Sequence, residues 1–540
     1  MSVKADSYAG ELENAPSRES GHFRPLGEAE PEKRVFSHGT VELYNANGEL
    51  RLIPTASRDP NDPLRIPEWR KWAVLSTFCL FTVGGMTCAN SIGAITPDLT
   101  VYYSQVPNPP SSQLINQLGS FPSLFIGIGA IISVIVAQGV GTRSVLIVQA
   151  AITVAGMLWS AVSNGSDRGL RSNIAARSFM SLGVGAVESV VPLMMQSLNY
   201  LHSRNSRLAL IWAAGGVANS VLGTVSTYII HALDWRWYTW ILFIVTAVSF
   251  VFIVLLVPET TFPRSEADLC PDGLTDPVRP SNRGESYMYS LRLYSEDASW
   301  ATAWQGTKDL ARTGLFPNII WLFLINACFI GSTISASLVF GQVLVTGYHW
   351  ETRNVGLLQI PLAVGSLLSI PLVGFGSDMA IKALAKRNNG IHEPEHTLVC
   401  LVLPMVSGVV GTLCFGIFVD NPEKYHWMLP MTMTGLQYFG VNSVNVVSVT
   451  YAIECYPELA EPVVIIIGAY RNIVGFGLTY GVNGFVGAVG YKACFGAYAA
   501  LTAGFFLMGL PFYLMGPRVR AEINKLPIRH GWGKKADQSL

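Results

Sequence analysis

The stretch WYTWILFIVTAVSFVFIVLL, residues 237–256, runs for twenty residues without a charge, and no water-facing surface can be built from it. At 1.5 Å per helical residue it covers about 30 Å, the thickness of the hydrocarbon core of a bilayer. Working outward from it, eleven further apolar runs of similar length can be marked. Those of the first half begin near Trp72, Leu118, Ser144, Ile174 and Leu208, with Trp237 as the sixth. Those of the second half begin near Asn318, Val355, Leu398, Trp427, Val463 and Ala493. The pattern predicts an all-α integral membrane protein with twelve transmembrane helices, six on each side of a polar segment.

Composition supports this over a set of soluble domains. Of 540 residues only 13% are charged, about half the usual quarter. Their distribution is uneven: 22 of the 72 charges precede Trp72, 15 lie in 258–317 and 8 follow Met515, so the spans are almost bare of charge. The division that follows is a polar N-terminal tail (1–71) expected to be largely disordered, a six-helix bundle (72–257), a linker (258–317), a second six-helix bundle (318–515) and a C-terminal tail (516–540). Net charge is zero, so no polyanion such as nucleic acid is implied as a partner. Cys79, Cys88, Cys328, Cys400, Cys414 and Cys494 sit inside apolar runs and read as packing residues, with neither disulfide nor metal spacing.

An even number of spans puts both termini on one side, and basic residues choose it. Arg65, Arg70 and Lys71 precede span 1, Arg143 follows span 2, and Arg204 and Arg207 follow span 4. Lys382, Lys386 and Arg387 follow span 8, and a cluster beginning at Arg518 follows span 12. Both ends are therefore expected in the cytoplasm, which leaves the sequon Asn164-Gly165-Ser166 on the opposite side as a candidate glycosylation site. Within the linker, Trp300, Trp304 and Ala311 share one helical face, suited to lying on the membrane surface.

Two halves with matching charge placement suggest a tandem repeat with a substrate site between the bundles near the midplane. Ionisable groups inside spans are costly unless paired or wet, so each is a functional candidate. Span 4 carries Arg177, Ser181, Gly185 and Glu188 at spacings that stack them along one face. Glu188 reads either as a group that takes up and releases a proton, with Arg177 nearby, or as half of a fixed ion pair with an arginine of another helix. Arg471-Asn472 lies about 13 Å into span 11, where an always-charged guanidinium needs an acidic partner, an anionic substrate or carbonyls. Tyr438, Asn442 and Asn445 on span 10, with Asn90, Asn326 and Gln359 on spans 1, 7 and 8, fit a polar substrate cavity; each could equally join helices.

Other signals fail. His392-Glu393-Pro394-Glu395-His396 matches the letters of a zinc hydrolase motif, but Pro394 breaks the helix that would put both histidines on one face. No metal or other cofactor is expected. The absence of a phosphate-binding loop sets ATP drive aside and leaves an ion gradient as the energy source. The chain reads as a transporter and not an enzyme.

Several pieces together resemble the major facilitator superfamily, and more narrowly its fungal drug:proton antiporter type. They are Asp59-Pro60-Asn61-Asp62-Pro63-Leu64 with Trp69-Arg70-Lys71 before span 1, Trp235-Arg236-Trp237 entering span 6, Pro258-Glu259-Thr260 leaving it, Lys386-Arg387-Asn388-Asn389-Gly390 after span 8, Tyr451 to Tyr456 ending span 10, and Arg471-Asn472. The resemblance implies the major facilitator fold, alternating access by rocking of the two bundles, coupling to protons, a monomer, and residence in a fungal membrane, with the plasma membrane the expected one. It matches Arg177 to the family's proton-coupling arginine and implies a cytoplasmic gate at Gln138, Arg143, Asp378 and Glu454. Two departures stand out. Gln138 and Gln196 occupy positions that are usually acidic, and no proline occurs from Leu193 to Val257, where antiporters usually carry a Gly-Pro kink. The leading expectation is proton-coupled export of a drug, toxin or specialised metabolite. The alternative is proton-coupled import of a nutrient such as an organic amine.

Overall fold

The computed structural model describes residues 62–524 apart from 91, 106–108, 164–166, 200, 262–289, 295–298, 388–392 and 457–458. The expected tail disorder before residue 62, the Asn164 sequon and His392 lie outside the described residues. Within them the chain is helical and contains no strand. The first half supplies α1 (Glu68–Ser104), α2 (Ser112–Val140), α3 (Thr142–Val162), α4 (Gly169–Leu198), α5 (Leu201–Ala232) and α6 (Trp235–Leu256). The second supplies α7 (Pro317–Thr346), α8 (Thr352–Ile381), α9 (Glu395–Val419), α10 (Met428–Cys455), α11 (Ala460–Tyr480) and α12 (Val482–Arg520).

Among the described residues, eleven helices are long and apolar enough to cross a membrane. The remaining one, α10, has the length at 28 residues, but Gln437, Asn442, Asn445 and several hydroxyls lower its hydropathy. A helix of that polarity is tolerated because its polar side faces other helices and not lipid.

Several helices depart from regular geometry along their length. In α4 the backbone leaves helical geometry at Ser189 (φ −130°, ψ −74°), directly after Glu188. In α8, Pro361 and Pro371 each lack an amide donor, and a π-helical turn, Ile370–Phe375, follows the regular stretch Ile360–Ser369. In α12, Gly490 has φ +84°, which splits a short lead-in from the crossing helix and explains why the apolar run in the sequence starts only near Ala493. Gly490→Ala puts a Cβ into that left-handed conformation at a cost of about 1 kcal/mol. It should lower the apparent unfolding temperature in detergent by about 2 °C, read by scanning fluorimetry.

The two halves have separate apolar cores. One is built almost wholly from α1 to α6 around Phe78, Phe81, Leu118, Leu146 and Tyr238. The other two clusters come mainly from residues 310–523. Inside the first bundle, glycines bring backbones together: a Cβ on Gly129 would sit 2.2 Å from the Leu182 carbonyl oxygen, and one on Gly156 would sit 2.6 Å from the Met180 nitrogen. Helix α4 is thus clamped between α2 and α3 by small residues, the packing that bilayers favour when apolar burial gives no net drive.

Helix directions place residue 62, the linker and residue 524 at one end of the molecule, here the tail face; the opposite end is the far face. On the tail face Arg70 donates to Ser290 at 2.7 Å, and Glu68 pairs with Lys71 at 3.0 Å and with Arg207 at 2.7 Å. The linker helix Trp300–Thr313 lies against α2 and α11, burying Ala303 and Leu310. Trp300 and Trp304 are each 64% exposed, and one side of the Trp300 ring lies against Gly139 of α2.

Candidate functional site

The bundles meet along three helix pairs. On the far half, α1 packs on α7 so closely that a Cβ on Gly93 would sit 2.3 Å from Ser337 Oγ. Beside them α5 meets the lead-in of α8, where Gly356 touches the Thr224 carbonyl and Gly223 touches Gln359. Helix α2 runs along α11, with Phe121 stacked on Phe476 at 5.7 Å and Ser123 Oγ donating to the Asn472 carbonyl at 3.2 Å. The far half of the seam is therefore shut. On the tail half a narrow cleft separates α4 and α5 from α10 and α11, lined by Pro192, Leu208 and Trp212 on one wall and Asn445, Thr450 and Val464 on the other. Its free volume of about 40 Å³ holds little more than one water.

Glu188 and Arg471 close the floor of this cleft. Both Glu188 carboxylate oxygens accept from Arg471 Nη2, at 2.7 and 2.6 Å, and the side chains are 5% and 4% exposed. Arg471 Nη1 donates to Asn445 Oδ1, and the guanidinium lies 5.4 Å from the ring centre of Trp212. Its Nε has no hydrogen-bond partner. Gly468 makes the approach possible: a side chain there would press on Glu188, whose Oε2 lies 3.3 Å from the Cβ position. Of the two readings open for Glu188, an arginine of another helix is its partner here. Because one member belongs to each bundle, breaking the pair also loosens the joint between them. A buried pair of this kind is held by Coulomb attraction that barely offsets desolvation, so removing one member leaves a charge stranded at a cost of about 3–5 kcal/mol.

Arg177 points elsewhere. It is 3% exposed and its Nη2 donates to the carbonyl of Cys88 on α1. Helical periodicity stacks Arg177 with Glu188, but Gly185 between them packs on Gly129 and Ala130 of α2, and the two ionisable side chains serve opposite neighbours, α1 and α11.

The polar residues divide by role. Tyr438 bonds Asn219, Asn442 donates to Ser366 Oγ at 2.9 Å, and Gln359 lies against Gly223, so α5, α8 and α10 enclose a polar seam just beyond the ion pair. The Gln359 and Asn219 side-chain oxygens there lack partners. Asn326 instead ties α7 to α10 through Ser448 at 2.9 Å, and Asn472 bonds the Gly468 carbonyl at 2.8 Å. The side chains of Asn90 and Asp378 lie outside what is described. Asn219, Ser366, Trp212 and Ser123 were not foreseen. Asn219 carried a signal, since it sits three after Gly216 and four before Gly223 on one face of α5.

At the tail face, Arg143 is buried and donates to the Val257 carbonyl at 2.8 Å, the Val254 carbonyl at 2.7 Å and the Leu291 carbonyl. Glu259 accepts from the amides of Thr142 and Arg143 at 3.2 and 3.1 Å, capping the start of α3. A carboxylate from the end of α6 thus sits beside Arg143, while Gln138 packs on Gly306 of the linker helix. In the second bundle Glu454 accepts from Thr397 Oγ1 at 2.7 Å, and Glu395 pairs with Arg520 at 2.7 Å. No cluster of metal-ligating side chains occurs among the described residues.

A family model described as Major Facilitator Superfamily matches residues 73–450. The chain belongs to the Major Facilitator Superfamily. This superfamily member is 22% identical to an uncharacterized MFS-type transporter of Schizosaccharomyces pombe, over 89% of this chain and 92% of that one. It is 22% identical to a multidrug transporter of Candida glabrata, over 75% of this chain and 69% of that one. Among solved structures it is similar to the xylose transporter XylE of E. coli in a partially occluded inward open conformation, with a TM-score of 0.54 and 13% identity over 82% of this chain and 99% of that one. The fold is that of a secondary transporter with many membrane helices, and transport, not catalysis, is what the superfamily does.

Proposed function

We propose that this transporter exports a small organic compound, a drug, toxin or specialised metabolite, in exchange for protons. The observation that carries the reading is the Glu188–Arg471 pair, one member from each bundle, at the floor of the tail-side cleft. With the tails in the cytoplasm and the protein in the plasma membrane, that cleft opens inward. A proton arriving on Glu188 removes the negative charge that holds Arg471 and weakens the joint between α4 and α11. Arg471 is then left to Asn445 and the Trp212 ring, and the bundles are free to rock. Substrate occupies the seam of Tyr438, Asn442, Gln359 and Asn219, where amide oxygens without partners favour a compound with N–H or O–H donors. Export also draws support from the multidrug transporter among the relatives.

One observation favours the second reading, import of a nutrient such as an organic amine. Helix α5 runs unbroken for 32 residues, Leu201–Ala232, without the proline kink usual in antiporters. Reconstitution in vesicles with an imposed pH gradient and an internal pH dye separates the two. Substrate moving against the proton flow supports export, and accumulation along with inward proton flow supports import. Substrate movement indifferent to the gradient removes proton coupling altogether.

A further inference from the structure

The far end of the seam holds a second pair of titratable groups. Asp98 lies near the far end of α1, directly after Pro97, and His231 lies near the far end of α5. Asp98 Oδ1 is 3.3 Å from His231 Nε2, and the same nitrogen is 3.0 Å from Thr352 Oγ1 at the start of α8. The Asp98 carboxylate also interacts with the Thr352 hydroxyl. Two residues of the first bundle therefore share one hydroxyl of the second, and Tyr228 reinforces the bridge by donating to Asn354 Oδ1 at 3.4 Å. The Asp98 side chain is 11% exposed and its Oδ2 has no hydrogen-bond partner, whereas His231 is 42% exposed and reaches the far-side solvent.

The surrounding charges do not neutralise Asp98. Arg236 at the start of α6 pairs with Asp234 at 2.9 Å and bonds Tyr102, and Arg353 beside Thr352 pairs with Glu351 at 2.9 Å. Among the described residues, Tyr103 on α1, and Tyr348 and His349 after α7, are the other titratable groups near these helix ends. The groups that act on the Asp98 carboxylate are Thr352 and His231. Of these only His231 can bring a positive charge.

We infer that Asp98 and His231 form a proton-binding site, separate from Glu188, that fills when the far-face seam closes and empties when it opens. When the seam is open, water solvates both side chains and the Asp98 carboxylate needs no partner to carry its charge. Closing removes water from Asp98 and presses it against Thr352. A carboxylate oxygen buried there without a hydrogen-bond partner is tolerated only with a cation beside it or a proton on it. Either arrangement adds one proton to the pair, on His231 or on Asp98. The closed seam binds more protons than the open one, so acid on the far side closes it and alkali opens it. For one proton the closed-to-open ratio changes by at most about tenfold per pH unit.

The site makes no use of Glu188, so it can fail while the coupling reading stands, and the reverse. The test is a distance measurement across the seam by electron paramagnetic resonance on the full-length protein in vesicles. Spin labels are attached at Leu233→Cys and Asn421→Cys, which are exposed far-end positions on opposite bundles, with the native cysteines replaced. Lowering the pH from about 8 to about 6 should raise the short-distance population relative to the long one by at least about threefold. His231→Gln keeps a hydrogen-bonding side chain that cannot titrate, and it should flatten this response, as should Asp98→Asn. If Asp98→Asn does not fold, the half-exposed His231→Gln decides alone. A distance distribution that ignores pH in the parent protein, or a response that survives His231→Gln, overturns the inference.

Discussion

Glu188→Gln is expected to reduce proton-driven transport at least tenfold and to destabilise the protein by about 3–5 kcal/mol. Both effects follow from one geometry. The carboxylate takes two short hydrogen bonds from Arg471 Nη2 in a setting where each side chain is about 5% exposed or less. Glutamine can accept one such bond but brings no charge, so a guanidinium that never deprotonates is left buried without a counter-ion. The double variant Glu188→Gln with Arg471→Gln removes that stranded charge and should recover most of the lost stability, while transport stays uncoupled. Unfolding by scanning fluorimetry and dye-reported proton flux in vesicles read the two effects separately. Retention of uphill transport by the single variant would show that the pair only holds the bundles together.

Gly93→Val is expected to jam the far-face seam open. The new Cβ would lie 2.3 Å from Ser337 Oγ and 2.9 Å from the Ser337 carbonyl oxygen, and backbone cannot move aside as a side chain can. Overpacking of this kind costs about 1–3 kcal/mol, which moves an equilibrium between open and closed seams about five- to 150-fold. A membrane-impermeant thiol reagent added on the far side should then label Asn442→Cys faster by a similar factor, and turnover should fall with it. Gly477→Val is the control, because nothing lies within 4 Å of its Cβ position. Equal labelling rates in the two glycine variants would mean that the α1–α7 contact does not gate access.

Much of the architecture was legible in the sequence because lipid imposes a simple rule on span length and charge. The starts of the predicted spans fall within or beside α1 to α12, and even α10, with its lower hydropathy, was marked. Periodicity was less informative about the candidate site. It set Arg177 and Glu188 on a common face of α4, yet which neighbour each side chain meets depends on tertiary packing: Gly185 draws α2 into the space between them, the Cys88 carbonyl of α1 receives Arg177, and Gly468 lets Arg471 reach Glu188. The amides of Asn326 and Asn442 look alike in sequence, but one joins α7 to α10 while the other lies in the seam between bundles. Asp98 and His231 were passed over because each lies at the end of its span, where a charge needs no special explanation, and only the fold brings them together.

The linker helix Trp300–Thr313 touches both halves of the molecule at the tail face, through Gln138 and Gly139 of α2 and through Ile466 of α11 beside Gly314. Fourteen helical residues make a rod about 21 Å long. Because this strut rests on one helix of each bundle, any rocking of the bundles has to shear or lift that seat, and the linker registers the movement of both halves.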